Sequence, residues 1–214
     1  DEQGREVVSF VPGWVPTEPL PAQVSGLQVL EQLGALIRSL HEAARSWRVP
    51  ADAVWGAIPG ARTWGVQDLD GPAELVGHRD YCPGNVVFRD GVPAALIDFD
   101  LARPTTRAYE LANAAFYWVP LWDPADRPAG WEGLDAGERL RALARGYGAG
   151  AGLRGQVVET ATMMVARFGV NMAEAARRDA AFARMVRGGV LERNARAEAW
   201  LRAQGPRLRA APAG

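Results

Sequence analysis

A short hairpin framed by two polar loops constrains the fold of this chain more than any other feature. Residues 86–88 (VVF) and 94–99 (AALIDF) are apolar and β-prone, and Asp90 and Gly91 lie between them. Asp and Gly tolerate the positive φ that a tight hairpin turn requires, so these residues predict two paired strands. Pairing brings the loop before the first strand back beside the loop after the second.

Polar residues on those two loops have the spacing of a site for phosphoryl transfer. The first loop reads HRDYCPGN over 78–85, and DFD follows the second run at 98–100. Asp80 can accept the proton of a substrate hydroxyl, and Asn85 and Asp98 can offer oxygens to Mg²⁺, which prefers oxygen ligands. The order H-R-D-x-x-x-x-N followed by D-F is the pattern of a kinase catalytic loop and its metal ligands.

This stretch resembles the aminoglycoside phosphotransferase and choline kinase-like family, the small-molecule branch of the protein-kinase-like fold. Cys82 stands where Ser/Thr protein kinases have Lys, Asp100 replaces the Gly of D-F-G, and the next helix follows too soon for an activation loop. Arg79 stands where family members more often have Gly. Because no His–Asn pair lies beside Cys82, we expect it to be a passive small residue rather than a nucleophile. The resemblance covers about residues 5–120.

The same resemblance implies an adenine site. The segment EVVSFVPG over 6–13 is similar to the family's hinge, which holds the adenine edge by backbone hydrogen bonds. By that match the carbonyl of Ser9 and the N–H of Val11 face the base. Val87 and Ile97 then supply the apolar floor beneath it.

Two further segments resemble structural parts of the family's large lobe. LIRSLH over 36–41 is similar to its first helix, and YELA over 109–112 is similar to an Asp-Leu-Ala motif whose acid braces the catalytic loop. That acid is Glu110 here. We expect His78 to be a packed scaffold residue of the loop and His41 to be a buried structural histidine.

The resemblance also predicts the architecture. The family's small N-terminal β lobe carries a lysine that grips the phosphates, yet this chain has no lysine and starts at the hinge. We therefore expect a mainly α, α+β protein-kinase-like C-terminal lobe from which the N-terminal β lobe is absent. The predicted parts are a hinge strand at 1–13 and a large lobe at 14–214, with the catalytic hairpin at 74–100 and helices over 105–205. Truncation of a longer kinase is favoured over a natural protein without the lobe.

Hydrophobic periodicity predicts most of the regular elements. Apolar residues recur every three or four positions in five stretches, which is typical of amphipathic helices. Pro and Gly mark the breaks, and the GYGAGAGLRG stretch is interpreted as a helix break rather than a nucleotide loop because no strand precedes it. The sequence predicts a strand at 5–11, irregular chain at 50–73, and helices at 24–44, 107–118, 134–147, 157–187 and 190–203.

Composition restricts the partners and the compartment. The formal net charge is −1, and the arginines near the C-terminus alternate with acidic residues, so we expect no nucleic-acid partner. No apolar run is long enough to span a bilayer, so we expect no membrane partner. The single Cys82 fits a reducing, cytoplasmic location. A lobe without its partner would expose apolar surface near the hinge, which leaves self-association open.

These observations predict an ATP- and Mg²⁺-dependent phosphotransferase that moves the γ-phosphate to a hydroxyl of a small molecule. The acceptor stays open between an aminoglycoside and another metabolite of the choline, homoserine or sugar type. A catalytically silent kinase-like binding module is the alternative from another class.

The segment 118–135 contains the sequence hints about the acceptor. Three tryptophans there could line a pocket by stacking on a ring, although such residues are more often core. Four acidic residues suit a polycation, but arginines are interspersed among the acids. The residues concerned are Trp118, Trp122, Trp131, Asp123, Asp126, Glu132 and Asp135, with Arg127 and Arg139 between or beside them.

Overall fold

A computed structural model describes residues 8–53, 55 and 72–210 of the chain. In this part the protein is a mainly helical α+β fold, and no helix in it is long and apolar enough to cross a membrane. The helices are α1 (Leu27–Ala44), α2 (Arg107–Trp118), α3 (Ala136–Tyr147), α4 (Ala151–Ala175), α5 (Ala180–Arg187) and α6 (Val190–Ala210). The strands are β1 (Leu75–Gly77), β2 (Val86–Arg89), β3 (Val92–Leu96) and β4 (Arg103–Thr105), and single 3₁₀ turns span Ala22–Val24, Pro83–Asn85 and Pro124–Asp126.

The four strands form two antiparallel pairs. β2 and β3 are joined by Asp90 and Gly91, both at positive φ, and the sequence predicts a hairpin over the same residues. β1 pairs with β4, with Gly77 opposite Arg103. The sequence analysis did not predict this second pair, because three-residue strands are too short to show an alternating pattern. It matters for the site, since it fixes both ends of the segment that contains the two polar loops.

The predicted strand at 5–11 is not found at residues 8–11, and residues 5–7 lie outside the described part of the chain. A strand needs the edge of another strand to pair with. In the described part of this region the chain meets such an edge only after the predicted strand, at Trp14, whose N–H and C=O bond the C=O and N–H of Phe88 at 3.0 and 2.7 Å. The pairing is therefore a single bridge.

Three predicted helix boundaries were wrong. Helix α4 begins at Ala151 and not at 157, so the break in the GYGAGAGLRG stretch is confined to 148–150, where Gly148 ends α3 at φ of +75°. The stretch predicted as one helix at 157–187 is divided between α4 and α5, because the Asp179 side chain accepts the N–H groups of Ala181 and Phe182 and starts a new helix. The last helix does not end near 203 but continues through Pro206 to Ala210. Burial of Leu208 at this end of α6 favours the continuation despite the lost proline donor.

Helices α1 and α3 pack closely through glycines. A Cβ on Gly34 would collide with the backbone of Leu143 and Tyr147, and a Cβ on Gly146 would collide with the carbonyl of Glu31. The axes of the two helices can therefore approach more closely than side chains would allow. This contact holds α1 against the helices that form the rest of the core.

A buried arginine joins three parts of the fold. Arg139 on α3 donates to the carbonyl of Trp118 at the end of α2 and to the carbonyl of Ser25 before α1. Its guanidinium lies 4.9 Å from the centre of the Trp131 ring. Burial lowers the pKa of Arg139 to about 10, so the side chain is still charged at neutral pH. These two carbonyls would otherwise be left unpaired at helix ends.

Candidate active site

One buried carboxylate holds the backbone of the loop after β1. Oε2 of Glu110 on α2 accepts hydrogen bonds from the N–H of His78 at 2.8 Å, the N–H of Arg79 at 3.4 Å and the hydroxyl of Tyr81 at 2.7 Å. Glu110 and His78 are both completely buried. The carboxylate can come this close because Gly77 has no side chain; a Cβ at this position would collide with it. The structure therefore places Glu110 against the loop that the sequence analysis expected it to brace.

Two more α2 residues hold the loop, Asn113 and Trp118, and the sequence analysis predicted this role for neither of them. The side-chain oxygen of Asn113 accepts the N–H of Tyr81 at 2.8 Å, and the indole N–H of Trp118 donates to the carbonyl of Tyr81 at 2.6 Å. Asn113 lies three residues after Glu110, so both side chains point from the same helix face. A polar pair at this spacing on an otherwise apolar face was the available signal.

His78 orients the next residue and is not placed to move a proton. Its Nδ1 accepts the N–H of Asp80 at 3.3 Å, so its Nε2 carries the ring proton and donates to the carbonyl of Ile97 at 2.9 Å. The ring also packs against Tyr81 and Phe99, with centroids 5.2 and 4.4 Å away. Both ring nitrogens are thus used in fixing the loop against the chain that follows β3.

Asp80 is half-buried, and its carboxylate is aimed by Asn85. The side-chain NH₂ of Asn85 donates to Oδ2 of Asp80 at 2.9 Å and to the carbonyl of Asp80 at 3.1 Å. Because both of those oxygens can only accept, the nitrogen of the amide must be the end that faces Asp80. The amide oxygen of Asn85 is then the end that can contact a cation.

The chain before Asp98 is tied to Asn85. The N–H of Ile97 donates to the backbone carbonyl of Asn85 at 3.0 Å. Asp98 follows with an exposed side chain and φ of +64°, a left-handed conformation that Asp tolerates better than most residues. No group of three or more His, Cys, Asp or Glu residues gathers as a metal site in the described ranges. One amide oxygen and one carboxylate nevertheless fit a magnesium ion whose other ligands are phosphate oxygens and water.

The residues assigned to adenine differ in burial. Val87 is buried, Ile97 and Val11 are half-buried, and Ser9 is exposed. Gly13, at φ of +148°, lies so close to β2 that a Cβ would stand 2.5 Å from Cγ1 of Val87. The segment before Gly13 therefore leads directly to the predicted floor of the adenine site, and the assignment itself stays a prediction.

A cavity of about 380 Å³ opens beside Asp80. Its walls come from the loop after β1, from α2, α4 and α6, and from the turn Pro124–Asp126. Trp122 lines it, whereas Trp118 and Trp131 are fully buried in the core, so one of the three tryptophans takes the pocket position that the sequence left open. Tyr117 also lines the cavity, and burial, followed by the nearby charge of Asp80, raises its pKa, which keeps its hydroxyl protonated.

Arg79 has a backbone conformation that glycine would adopt more easily. Its φ is +66°, its side chain is buried, and its guanidinium lies 4.1 Å from the centre of the Tyr109 ring. A left-handed residue with a Cβ costs about 1–2 kcal/mol. This is a physical reason for the glycine that the family resemblance led us to expect here, and the stacking on Tyr109 offsets part of the cost.

His41 is completely buried, as the sequence analysis predicted for a structural histidine. The guanidinium of Arg107 donates to the hydroxyl of Tyr147 at 2.6 Å, and that hydroxyl lies 2.9 Å from Nδ1 of His41. Because arginine can only donate, the tyrosine proton is directed to His41. Nε2 of His41 then faces the Glu110 carboxylate at 3.5 Å. A polar chain thus links the half-exposed start of α2 to the brace of the loop.

Most acidic residues of the segment 118–135 are used in capping and pairing. Asp123 and Asp135 accept backbone N–H groups at the starts of the turn Pro124–Asp126 and of α3. Asp126 lines the cavity, but both its oxygens are bound by the guanidinium of Arg196, at 2.7 and 2.6 Å. Arg127 donates to three backbone carbonyls of the same segment. The acidic cluster is therefore no general attractant for a polycation.

Residues 50–153 match the phosphotransferase enzyme family, and this match contains the loop, the hairpin, α2 and α3. This match, over just under half of the chain, confirms the resemblance read from the residues around Asp80.

The trifolitoxin immunity protein of Rhizobium leguminosarum bv. trifolii is a relative, with 32% identity over 161 residues. The aligned region is 74% of this chain but 58% of that protein, so the chain spans less than two thirds of its relative. No solved structure matches the chain.

Proposed function

We propose that the protein to which this chain belongs is an ATP- and Mg²⁺-dependent phosphotransferase that phosphorylates a hydroxyl of a small molecule. The observation that carries the proposal is the position of Asp80. Its backbone is held by His78, its carboxylate is aimed by Asn85, and it lines a cavity large enough for a small acceptor. The family of the matched segment supports the same reaction class.

In this proposal Asp80 accepts the proton of the acceptor hydroxyl. The hydroxyl oxygen forms a bond to the γ-phosphorus, the bond from that phosphorus to the bridging oxygen breaks, and ADP leaves with the electron pair. Asn85 and Asp98 would hold the metal, which supplies neutralisation of phosphate charge. Glu110 keeps the loop in place through the N–H groups of His78 and Arg79.

The nucleotide base is proposed to lie on the other side of the hairpin. The carbonyl of Ser9 and the N–H of Val11 would bond the adenine edge, above an apolar floor made by Val87 and Ile97. The close approach of Gly13 to β2 supports this arrangement, because it brings the segment next to Val87. We further propose a cytoplasmic location, and partners that include neither nucleic acid nor membrane.

Replacement of Asp80 by Asn in the natural full-length protein tests the reaction. The loss of the base is expected to lower kcat about 10²–10⁴-fold, measured as acceptor-dependent ADP release. The affinity for Mg·ATP, measured by calorimetric titration, is expected to stay nearly unchanged because Asp80 is not a proposed metal ligand. The control is Asp90→Asn, an exposed left-handed turn position that Asn also accepts. Unchanged turnover in Asp80→Asn would contradict the assignment.

A second candidate function is protection against a toxin, favoured by the trifolitoxin immunity protein among its relatives. The full-length protein and its Asp80→Asn variant can each be expressed in a trifolitoxin-sensitive strain. Protection by the first and not the second would connect immunity to phosphotransfer. Protection by both proteins would indicate a catalytically silent kinase-like binding module. In that case protection would not require either protein to bind Mg·ATP.

A further inference from the structure

Side chains of three helices meet at the hydroxyl of Tyr147. Tyr147 is the last residue of α3, Arg107 is the first residue of α2, and His41 lies in the last turn of α1. The hydroxyl lies 2.6 Å from Nη1 of Arg107 and 2.9 Å from Nδ1 of His41. Arg107 is half-exposed, whereas the other two side chains are buried. The hydroxyl therefore joins a group near the surface to a group in the core.

Only one direction of hydrogen bonding satisfies all three groups. A guanidinium can only donate, so Arg107 bonds a lone pair of the Tyr147 hydroxyl and the hydroxyl proton goes to Nδ1 of His41. With Nδ1 as the donor instead, that proton would have no acceptor among the described residues, and an unpaired buried polar group is costly. Burial raises the pKa of Tyr147, so the proton is present at neutral pH. Nε2 is then the nitrogen of His41 that carries the ring proton.

The proton on Nε2 of His41 faces the groups that brace the loop after β1. Nε2 lies 3.5 Å from Oε2 of Glu110 and 3.5 Å from the hydroxyl oxygen of Tyr81, which itself donates to Oε2 of Glu110 at 2.7 Å. All three side chains are completely buried. A proton at Nε2 attracts both oxygens, whereas a lone pair there would repel them. The tautomer of His41 therefore matters for where Glu110 stands.

We propose that Tyr147 is a positioning residue for the loop that holds Asp80. Its hydroxyl fixes the tautomer and the orientation of His41, and His41 in turn steadies Glu110, the brace of the loop. Arg107 directs the hydroxyl proton. This inference rests on the proposed function, because the loop that is positioned contains the proposed base. A small displacement of such a base is enough to slow a reaction.

Nitrogen NMR of the histidine side chains in the full-length protein tests the direction of these hydrogen bonds. His41, assigned by through-bond correlation with its own backbone, is expected to show a proton on Nε2 and none on Nδ1 at neutral pH. Tyr147→Phe removes only the hydroxyl, and it is expected to shift the Nδ1 resonance of His41. A proton on Nδ1 in the unchanged protein, or an Nδ1 resonance that does not move in Tyr147→Phe, would overturn the inference.

Hydrogen exchange measures whether the hydroxyl positions the loop. In Tyr147→Phe the amides of His78 and Arg79 are expected to exchange about tenfold faster, while amides in the middle of α4 keep their rates. The control is Arg145→Gln, which breaks a surface ion pair with Glu31 between the same two helices, α3 and α1, and is expected to leave exchange in the loop unchanged. Equal acceleration in the loop and in α4, or in both variants, would indicate general destabilisation and overturn the positioning role.

Hydrolysis of Mg·ATP, with water as the acceptor, supplies the kinetic readout. Tyr147→Phe is expected to lower kcat about tenfold and to leave the KM for Mg·ATP within about twofold, because the base is displaced and the proposed nucleotide site is not. A raised KM with unchanged kcat would contradict the inference. Arg107→Met, at a half-exposed position, serves where Tyr147→Phe does not fold. It removes the donor to the hydroxyl, so all three readouts are expected to change in the same direction by smaller amounts, and unchanged readouts would overturn the inference.

Failure of the proposed function appears separately. If the unchanged protein neither binds nor hydrolyses Mg·ATP, phosphotransfer is wrong, and the NMR and exchange results still decide whether Tyr147 positions the loop. Normal hydrolysis of Mg·ATP that does not respond to Tyr147→Phe, together with unchanged exchange in the loop, would instead contradict the positioning role alone.

Discussion

At the residue scale, a single carboxylate oxygen, Oε2 of Glu110, accepts three hydrogen bonds from the loop after β1. Removing it by Glu110→Ala leaves the N–H groups of His78 and Arg79 and the hydroxyl of Tyr81 buried without an acceptor. Each such group costs about 1–3 kcal/mol, so we expect the free energy of unfolding to fall by about 3 kcal/mol or more. Denaturant titration measures this loss.

Glu110→Gln is the matched comparison for that prediction. Its oxygen can occupy the position of Oε2, while its nitrogen occupies the position of Oε1, which accepts no hydrogen bond from the described residues. We expect Glu110→Gln to lose clearly less stability than Glu110→Ala. Equal losses in the two variants would show that the acceptor oxygen is not what stabilises the loop.

The thiol of Cys82 reports on the charge of its neighbour. Burial, and then the nearby Asp80 carboxylate, raise the pKa of Cys82 to about 11. At pH 8 only about one thiol in a thousand is then ionised, so reaction with a disulfide reagent is expected to be far slower than that of free cysteine. Asp80→Asn removes a negative charge, lowers the thiol pKa and should accelerate the reaction. A rate that is already that of free cysteine in the unchanged protein would contradict this environment.

At the scale of elements, the crossing of α1 and α3 depends on the absence of side chains. Gly146→Ala places a methyl group against the carbonyl of Glu31, so the helices must separate. We expect a loss of about 1–3 kcal/mol in the free energy of unfolding, the range for overpacking. Thermal or denaturant unfolding measures it.

Gly155→Ala is the control for that substitution. Gly155 lies inside α4 and a Cβ there would meet nothing within 4 Å. Here alanine is expected to stabilise the protein by about 0.5–1 kcal/mol, because it restricts the unfolded chain and favours helix. Stabilisation by Gly146→Ala as well would mean that helix propensity, and not the α1–α3 contact, governs position 146.

An element can be predicted from the sequence when its pattern extends over many residues, and it is missed when it depends on one side chain. Helix α2 has the predicted limits, 107–118, because its apolar period is regular and Thr106 caps its first turn through the N–H of Tyr109. The division of 157–187 into two helices depends instead on one capping aspartate, Asp179, within a continuous helical pattern. Periodicity averages over many residues and does not detect such a single side chain.

At the scale of the whole molecule, ion pairs attach α6 to the segment that covers the cavity. Asp126 bonds Arg196, and Asp135, the cap of α3, bonds Arg207. The pKa of Asp126 is lowered mainly by the bond from Arg196, and that of Asp135 mainly by the backbone N–H of Glu138. Because folded values below the ordinary value favour the ionised form, this stabilisation is present above about pH 4 and is lost as the pH falls through the lowered values.

Arg196→Gln tests that attachment. The variant is expected to lower the Tm by about 1–2 °C at pH 7 and to have a smaller effect at pH 3, where Asp126 approaches protonation in both proteins. Arg202→Gln, which breaks a pair within one helix, serves as the control and should change the Tm less. A deficit in Arg196→Gln that stays constant between pH 7 and pH 3 would contradict the ion-pair origin.

The sequence by itself determined that the loop and the hairpin bring Asp80, Asn85 and the chain before Asp98 together. The spacing of Asp80, Asn85 and Asp98 around a two-residue turn is a local property, since short-range geometry decides which way such a chain returns. Only the tertiary structure decided which groups hold that loop and which residues line the cavity. Glu110 and Asn113 reach the loop from about 30 residues away, and the residues that line the cavity come from elements up to α6. Packing brings such residues together, and no pattern within one element of the sequence records that contact.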